Sequence, residues 1–222
     1  HGTQHTPRQV AWVTVAHGCN ERCTYCVVPN TRGVEQSKAP EAIIDEIEAL
    51  GRNGFREVTL LGQNVDAYGR DMTPRRTFSD LLKAVAGVAR THGMRVRFVT
   101  SHPRYITDSV IDAVAEHADV LMPVFHMPAQ SGDDDVLRLM GRGYTAARYL
   151  AIVRKIKEKL PDATVSGDFI AGCRGELNPS TWLQRAPIRP VSTTIPRRAS
   201  RVGLQLPFRP KTSEIGRDLA EI

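Results

Sequence analysis

The sequence predicts an α/β chain built as a partial β/α barrel, and two observations carry that prediction. Between residues 10 and 171, short β-rich apolar runs alternate five times with stretches of helical periodicity. That rhythm belongs to βαβ units around a parallel sheet, and five such steps suit a partial or full barrel better than a sandwich. After Glu176 the rhythm stops. Proline falls every few residues there, and neither apolar period is sustained.

Residues 10–16 (VAWVTVA) read as the first strand. Residues 40–50 place Ile43, Ile44, Ile47 and Leu50 at helical spacing, with Pro40 near the start and Gly51 just past the end as boundary signals. A second strand is expected over 57–61 and a second helix over 78–89, through Leu81, Leu82, Val85 and Val88. The third strand falls at 95–100 and its helix at 109–118. The fourth strand falls at 120–125, followed by a helix broken into 134–140 and 146–160. Residues 164–171 give the fifth strand. In such folds chemistry gathers at the C-terminal ends of the strands.

Composition narrows the class further. The chain has 222 residues, 41% of them hydrophobic and 24% charged, which excludes a wholly disordered chain and permits a sizeable core. No run approaches the ~18 apolar residues of a membrane span, so no membrane partner is expected. The net charge of +6 invites a nucleic-acid reading until it is located. Residues 1–173 hold 21 Lys and Arg against 20 Asp and Glu, whereas residues 174–222 hold 9 against 4 and six of the 14 prolines. The basic character therefore belongs to a Pro/Arg-rich tail, and whole-chain charge is weak ground for RNA binding. The first residue is His1 and no secretory pattern precedes Val10, so the chain reads as an excerpt of a longer protein. On this reading residues 1–9 are a linker, 10–176 the core domain, and 177–222 an atypical tail without a packed core; 213–222 has the pattern of one short helix.

Cys19, Cys23 and Cys26 form C-x3-C-x2-C directly after the first strand, in HGCNERCTYC. Three thiols within eight residues of one loop suit a soft metal or an iron–sulfur cluster. A disulfide framework would want an even count. A structural zinc site would want a fourth ligand, for which His17 is the nearby candidate, and a spacing closer to paired C-x2-C. Zinc and unrelated thiols stay open as alternatives. Three thiolates on four irons leave one iron free to hold a further ligand.

That triad on a repeating β/α chain resembles the radical S-adenosylmethionine (SAM) superfamily. The stretches HGCNERCTYCVVPNTRG, EVTLLGQNVDAYG, RFVTSHP, HMPAQSGDDDVLRLMGRGYT and SGDFIAG resemble, more closely, the central domain of the tRNA methylthiotransferases, in order and with sensible spacing over about 10–176. HMPAQSG together with MGRGY is nearer the eukaryotic, often mitochondrial, branch of the tRNA 2-methylthio-N6-isopentenyladenosine synthase type. The resemblance implies a (β/α)6 radical-SAM barrel, truncated here after about five units, and addition of a methylthio group to carbon 2 of an N6-modified adenosine beside the anticodon.

It also implies site residues. Cys19, Cys23 and Cys26 would ligate a [4Fe–4S] cluster whose open iron chelates SAM. Tyr25 sits where the superfamily carries an aromatic near the adenine. Gly62, Gln63 and Asn64 stand where relatives hold the methionine amine, although G-Q-N alone is an ordinary turn. Ser101 and His102 end the third strand in TSHP, at the functional rim. Gln130 and Ser131 follow the fourth strand, and Arg142 would grip the SAM carboxylate in a planar fork. Asp168 would meet the ribose or substrate, and Ile170 would present backbone to the adenine. His126 is either a rim ligand or a core histidine. The acidic run 133–135 reads as a helix N-cap with a solvated face.

Family members carry an N-terminal domain with three more cysteines holding a second [4Fe–4S] cluster, and that domain is expected to precede this stretch. Cys173 reads as a local shift and not as a lost ligand. A sixth β/α unit and a small RNA-binding barrel would follow in the family; neither is recognisable after residue 176, which would leave the fifth strand with an unpaired edge. The expected partners are tRNA and an electron donor such as ferredoxin or flavodoxin. The expected compartment is mitochondrial or another organelle for a eukaryotic source and cytoplasmic otherwise. Alternative readings are a methylthiotransferase for N6-threonylcarbamoyladenosine or a ribosomal protein, and a non-catalytic regulator that binds a kinase activator.

Overall fold

A computed structural model of the protein describes residues 10–170. The expected linker, Cys173 and the tail after residue 176 lie outside the described residues. The chain divides into two units, His1–Ile188 and Arg189–Ile222, and the described residues belong to the first.

Strand β1 (Val10–Thr14) is followed by β2 (Ala16–His17), a short α1 (Val28–Arg32), β3 (Gln36–Ser37) and α2 (Pro40–Arg52). Then come β4 (Glu57–Leu61), a 3-10 turn at Val65–Ala67, α3 (Phe78–Thr91), β5 (Arg95–Phe98) and α4 (Asp108–Glu116). Strand β6 (Val124–His126), α5 (Asp134–Leu139), α6 (Ala146–Lys159) and β7 (Thr164–Ser166) complete the succession. β1, β4 and β5 pair in parallel, with Val13 opposite Leu60 and Leu60 opposite Phe98. A parallel bridge from Val96 to Leu121 carries the arc on, and β6 pairs in parallel with β7. Each crossover thus advances one place in chain order. This is the expected partial α/β barrel.

One face of the arc is apolar and covered. Ala11 and Val13, Val58 and Leu60, and Val96 and Phe98 stand in register and are all buried. Ile43 and Ile47 of α2 and Leu82 and Val85 of α3 belong to the same core. Phe98 meets Phe78 of α3 and Phe125 of β6 edge-on, at 5.4 and 5.6 Å, the arrangement that the ring quadrupoles favour. On the opposite face Trp12, Thr59 and Arg97 stand in register. There Arg97 Nε donates to Glu57 Oε1 at 2.9 Å.

Several element ends differ from expectation, each for a local reason. The first strand breaks after Thr14 because Val15 changes partners: its N–H donates to Leu61 O, while its carbonyl accepts from Lys38 N, both at 2.8 Å. β2 and β3 consequently form an antiparallel ribbon that framed no signal in the sequence. The third strand ends at Phe98, just before Thr100 enters the left-handed region at φ 67°. The fourth shrinks to three residues, since Pro123 offers no N–H to the ladder. The fifth ends at Ser166, before Gly167, and resumes only as a Gln130–Phe169 bridge. Helix ends agree better, because caps mark them. Thr77 Oγ1 accepts from Asp80 N, Thr145 Oγ1 from Arg148 N, and Asp133 Oδ1 from Asp135 N and Val136 N, the last as expected for the acidic run.

Candidate functional site

The cysteine loop leaves β2 through Gly18, whose φ of +71° is left-handed. The next amide, Cys19 N–H, donates to Gly33 O at 3.1 Å, and Cys26 N–H donates to Cys23 O at 3.0 Å. The loop is clamped from outside by two carboxylates. Glu21, buried between two of the cysteines, accepts a short hydrogen bond from Tyr105 Oη and one from Arg104 Nη1 at 3.4 Å. Asn20 holds Glu35, its Oδ1 accepting from Glu35 N at 3.1 Å. Burial pushes the Cys19 thiol up, and the Glu35 and Glu21 carboxylates add to that shift. Burial and the two carboxylates thus keep the free Cys19 sulfur protonated and neutral.

Past the ends of β4 and β5 several buried polar atoms stand without partners. Gln63 Oε1, both amide atoms of Asn64 and His102 Nε2 are buried and without protein partners. Buried polar atoms are nearly always paired, so these four are available to a ligand. His102 Nδ1 accepts from Arg104 N at 3.1 Å, which leaves Nε2 as the proton-bearing nitrogen and hence a donor. Ser101 is placed differently: its hydroxyl donates to Asp66 Oδ1 at 3.3 Å, and His102 N–H donates to Asp66 Oδ2 at 3.0 Å. Thr100 Oγ1 donates a short hydrogen bond to Gly62 O, which ties the two strand ends together.

Asp66 and His102 are displaced in opposite senses. Burial raises the Asp66 carboxyl to about 7 against the pull of Ser101 and His102 N–H. Burial, then Arg142 and Arg104, lowers the His102 imidazole to about 3. Between about pH 4 and 6.5 the folded pair keeps its proton on Asp66 and the unfolded pair keeps one on His102. The proton count is equal, and this pair gives no slope of stability with pH. Asp66→Asn removes one side of the balance. Unfolding of that variant takes up a proton at His102 alone, so its stability rises with pH from about 4 to 6.5, by at most about 1.4 kcal/mol per unit. Urea midpoints at pH 4.5 and 6.5 check this against the wild type, and a D66N slope equal to the wild-type slope would refute it.

The loop between α5 and α6 crosses the cysteine loop. Thr24 N–H and Oγ1 donate to Met140 O at 3.0 Å and Leu139 O at 3.1 Å. Gly141, at φ +71°, lies so near that a Cβ there would sit 2.9 Å from Arg22 O. Arg142 follows, buried, with Nη1 3.4 Å from Cys23 Sγ, Nη2 3.1 Å from Pro128 O and Nε 3.2 Å from Tyr144 Oη. Tyr25 lies beside Cys23 and Arg142, and burial holds its phenol well above the usual range.

At the far rim, His126 Nδ1 lies 3.1 Å from Ser166 Oγ and its Nε2 lies 3.5 Å from Asp168 Oδ2, so this histidine faces the rim and not the core. Gln130, left-handed at φ 68°, donates its N–H to Asp168 O and accepts from Ile170 N, both at 2.9 Å. Ser131 Oγ accepts from Asp133 N. The sequence-predicted residues thus fall into three sets. Cys19, Cys23, Cys26, Tyr25 and Arg142 share one neighbourhood, while Gln130, Asp168 and Ile170 are joined to one another. Gly62, Gln63, Asn64 and Ser101 follow the ends of β4 and β5. Sequence reasoning missed Glu21, Asp66, Tyr105 and Tyr144; only Glu21 carried a signal, as an acid set between two metal-ligand candidates.

Residues 13–178 match the model of the Radical SAM superfamily. The chain belongs to that superfamily. Its fold is similar to that of the cobalamin-dependent SAM radical enzyme OxsB, solved with aqua-cobalamin and SAM, with a TM-score of 0.59 at 12% identity over 72% of this chain and 23% of that one. The radical SAM methyltransferase TsrM from Kitasatospora setae, solved with cobalamin and a [4Fe–4S] cluster, gives 0.57 at 15% identity over 72% and 30%. The methylornithine synthase PylB gives 0.51 at 14% over 79% and 48%. This radical SAM chain spans less than half the length of each. The superfamily uses a [4Fe–4S] cluster and SAM, and the residues present fit both. Each thiolate of a four-iron cubane binds a different iron, so the ligands need one loop and not one point. Among the described residues, no three Cys, His, Asp or Glu side chains are placed to hold a single metal ion. The orphaned atoms of Gln63, Asn64 and His102 offer both donors and acceptors to a zwitterion.

Proposed function

We propose that this radical SAM enzyme is the SAM-cleaving core of a tRNA methylthiotransferase, which adds a methylthio group to carbon 2 of an N6-modified adenosine next to the anticodon. The observation that supports it is the joining of two motif stretches far apart in the sequence. HGCNERCTYC and LMGRGY are hydrogen-bonded to each other through Thr24, Met140, Leu139, Cys23 and Arg142. Two of the five stretches that carry the family resemblance are therefore in direct contact.

In this reading Cys19, Cys23 and Cys26 hold the cluster, which when bound supplies the electron that splits SAM into methionine and a 5′-deoxyadenosyl radical. Gln63 Oε1 accepts from the SAM ammonium, and Asn64 lies beside it with both amide atoms free. His102, neutral through the working pH range, donates from Nε2 to a SAM oxygen. Gln130, Asp168 and Ile170 face the ribose and adenine, and Tyr25 packs near the adenine. The near-neutral charge of residues 1–173 assigns most phosphate contacts to other parts of the protein, because such contacts dominate RNA affinity. A second [4Fe–4S] cluster, tRNA and a ferredoxin- or flavodoxin-type donor are the proposed partners. The proposed compartment is an organelle in a eukaryote and the cytoplasm otherwise; no helix among the described residues is long and apolar enough to cross a membrane.

Mass spectrometry of tRNA from cells lacking the gene tests the assignment. The 2-methylthio group is expected to vanish from N6-isopentenyladenosine while the isopentenyl group stays. Loss from N6-threonylcarbamoyladenosine instead, or unchanged tRNA, would overturn it.

A further inference from the structure

We infer that Arg142 is a redox-tuning residue, whose guanidinium donates to the sulfur of Cys23 and raises the reduction potential of the cluster that Cys23 helps to hold. The inference rests on the cluster occupying the cysteine triad.

Arg142 is only 5% exposed, and Cys23 only 8%. Its guanidinium is fixed on three sides: Nη1 to Cys23 Sγ, Nη2 to Pro128 O, and Nε to Tyr144 Oη, which is itself held by donation to Ala129 O at 2.6 Å. The Tyr144 ring lies 5.3 Å beneath the cation. No carboxylate among the described residues forms an ion pair with Arg142. A buried cation without a counter-charge is costly, and of the groups it touches the Cys23 sulfur is the one that becomes an anion on binding iron, since the Tyr144 phenol is held protonated by burial. The contact is enforced by backbone: Met140 O is tied to Thr24 N–H, and Gly141 packs against Arg22 O, so residues on both sides of Cys23 hold the loop bearing Arg142.

The sign follows from electrostatics. One-electron reduction adds negative charge to a cluster and its thiolates, and a nearby cation with an N–H···S bond stabilises that form more than the oxidised one. Arg142 therefore makes the cluster easier to reduce. This differs from the carboxylate fork expected from sequence, since three of the five N–H groups of Arg142 are directed at protein atoms, one of them the Cys23 sulfur.

Redox titration of the anaerobically reconstituted chain, followed by electron paramagnetic resonance without SAM, separates the two roles. R142Q is expected to keep its iron and titrate at a more negative potential. Poised at the wild-type midpoint, its ratio of reduced to oxidised cluster should fall about tenfold, which for one electron is ~59 mV. R142K, which keeps the charge, should recover part of the shift, and Y144F, which frees only Nε, should move in the same direction by less. Wild-type potentials in R142Q and R142K, with the loss falling on SAM affinity, would overturn the inference and leave Arg142 as a carboxylate ligand. If R142Q does not fold, unchanged potentials in both R142K and Y144F have the same force. A wild-type chain that takes up no iron would overturn the cluster reading and this inference together, and would do so before any variant is compared.

Discussion

Replacing Cys19, Cys23 or Cys26 by alanine is expected to abolish cluster assembly. The wild-type chain, reconstituted without oxygen, should take up about four irons and four sulfides and absorb broadly in the visible. Each single variant should lose that absorbance. Reductive cleavage of SAM should fall by more than about a hundredfold, since even residues behind a metal ligand cost 10–100-fold when changed. Each thiolate serves its own iron, so neither remaining cysteine can stand in for the lost one. Cys173→Ala, outside the described residues, is expected to leave the iron content unchanged. Retention of a full cluster after two of the triad changes would sink the assignment.

Gly18→Ala is expected to have the next largest effect, and to act through backbone alone. A Cβ at Gly18 would sit 2.0 Å from Val34 O and 2.6 Å from Gly33 O. Those are main-chain atoms, and moving them breaks the Cys19 N–H to Gly33 O bond and strains the β2–β3 ribbon. The left-handed φ adds its own cost to any residue with a side chain. Together these should lower the stability of the apo chain by about 2–4 kcal/mol in urea titrations and lower iron uptake with it. Gly33 supplies the control. Its φ of 75° and ψ of −163° also favour glycine, but nothing lies within 4 Å of its added Cβ, so Gly33→Ala should carry the backbone cost alone, about 1–3 kcal/mol and less than Gly18→Ala. Equal losses at the two positions would remove steric crowding as the cause.

The fold was legible where one segment decides its own conformation. The periods through Ile43 and Ile47, and through Leu82 and Val85, marked α2 and α3, and the acidic run at Asp133 marked a cap, because helix and cap form within a few residues. Strand ends were less legible, since β1 stops at Thr14 only because the Val15 carbonyl is taken by Lys38 N–H, 23 residues on, while its own N–H still reaches Leu61. In the candidate site, the cysteine spacing was visible and the thiols do share one loop. The environment of that loop was not. Arg142 lies against Cys23, 119 residues earlier, and Tyr105 against Glu21, 84 residues earlier; no periodicity reports such approaches. The inverted protonation of Asp66 and His102 is of the same kind, because burial of both by the assembled barrel creates it.

Trp12 offers an optical consequence of the arc's bare face. It is the only tryptophan among the described residues, it stands on the face of β1 opposite the helices, and it is 63% exposed. An indole in water emits at long wavelength and is open to quenchers. Any segment or macromolecule that settles against the inner wall of the arc must desolvate that ring, shift its emission to the blue and shield it from iodide. Ligands confined to the strand-end rim would leave it wet. With Trp182, outside the described residues, replaced by phenylalanine, the fluorescence of Trp12 therefore reports covering of this face separately from ligands at the strand ends.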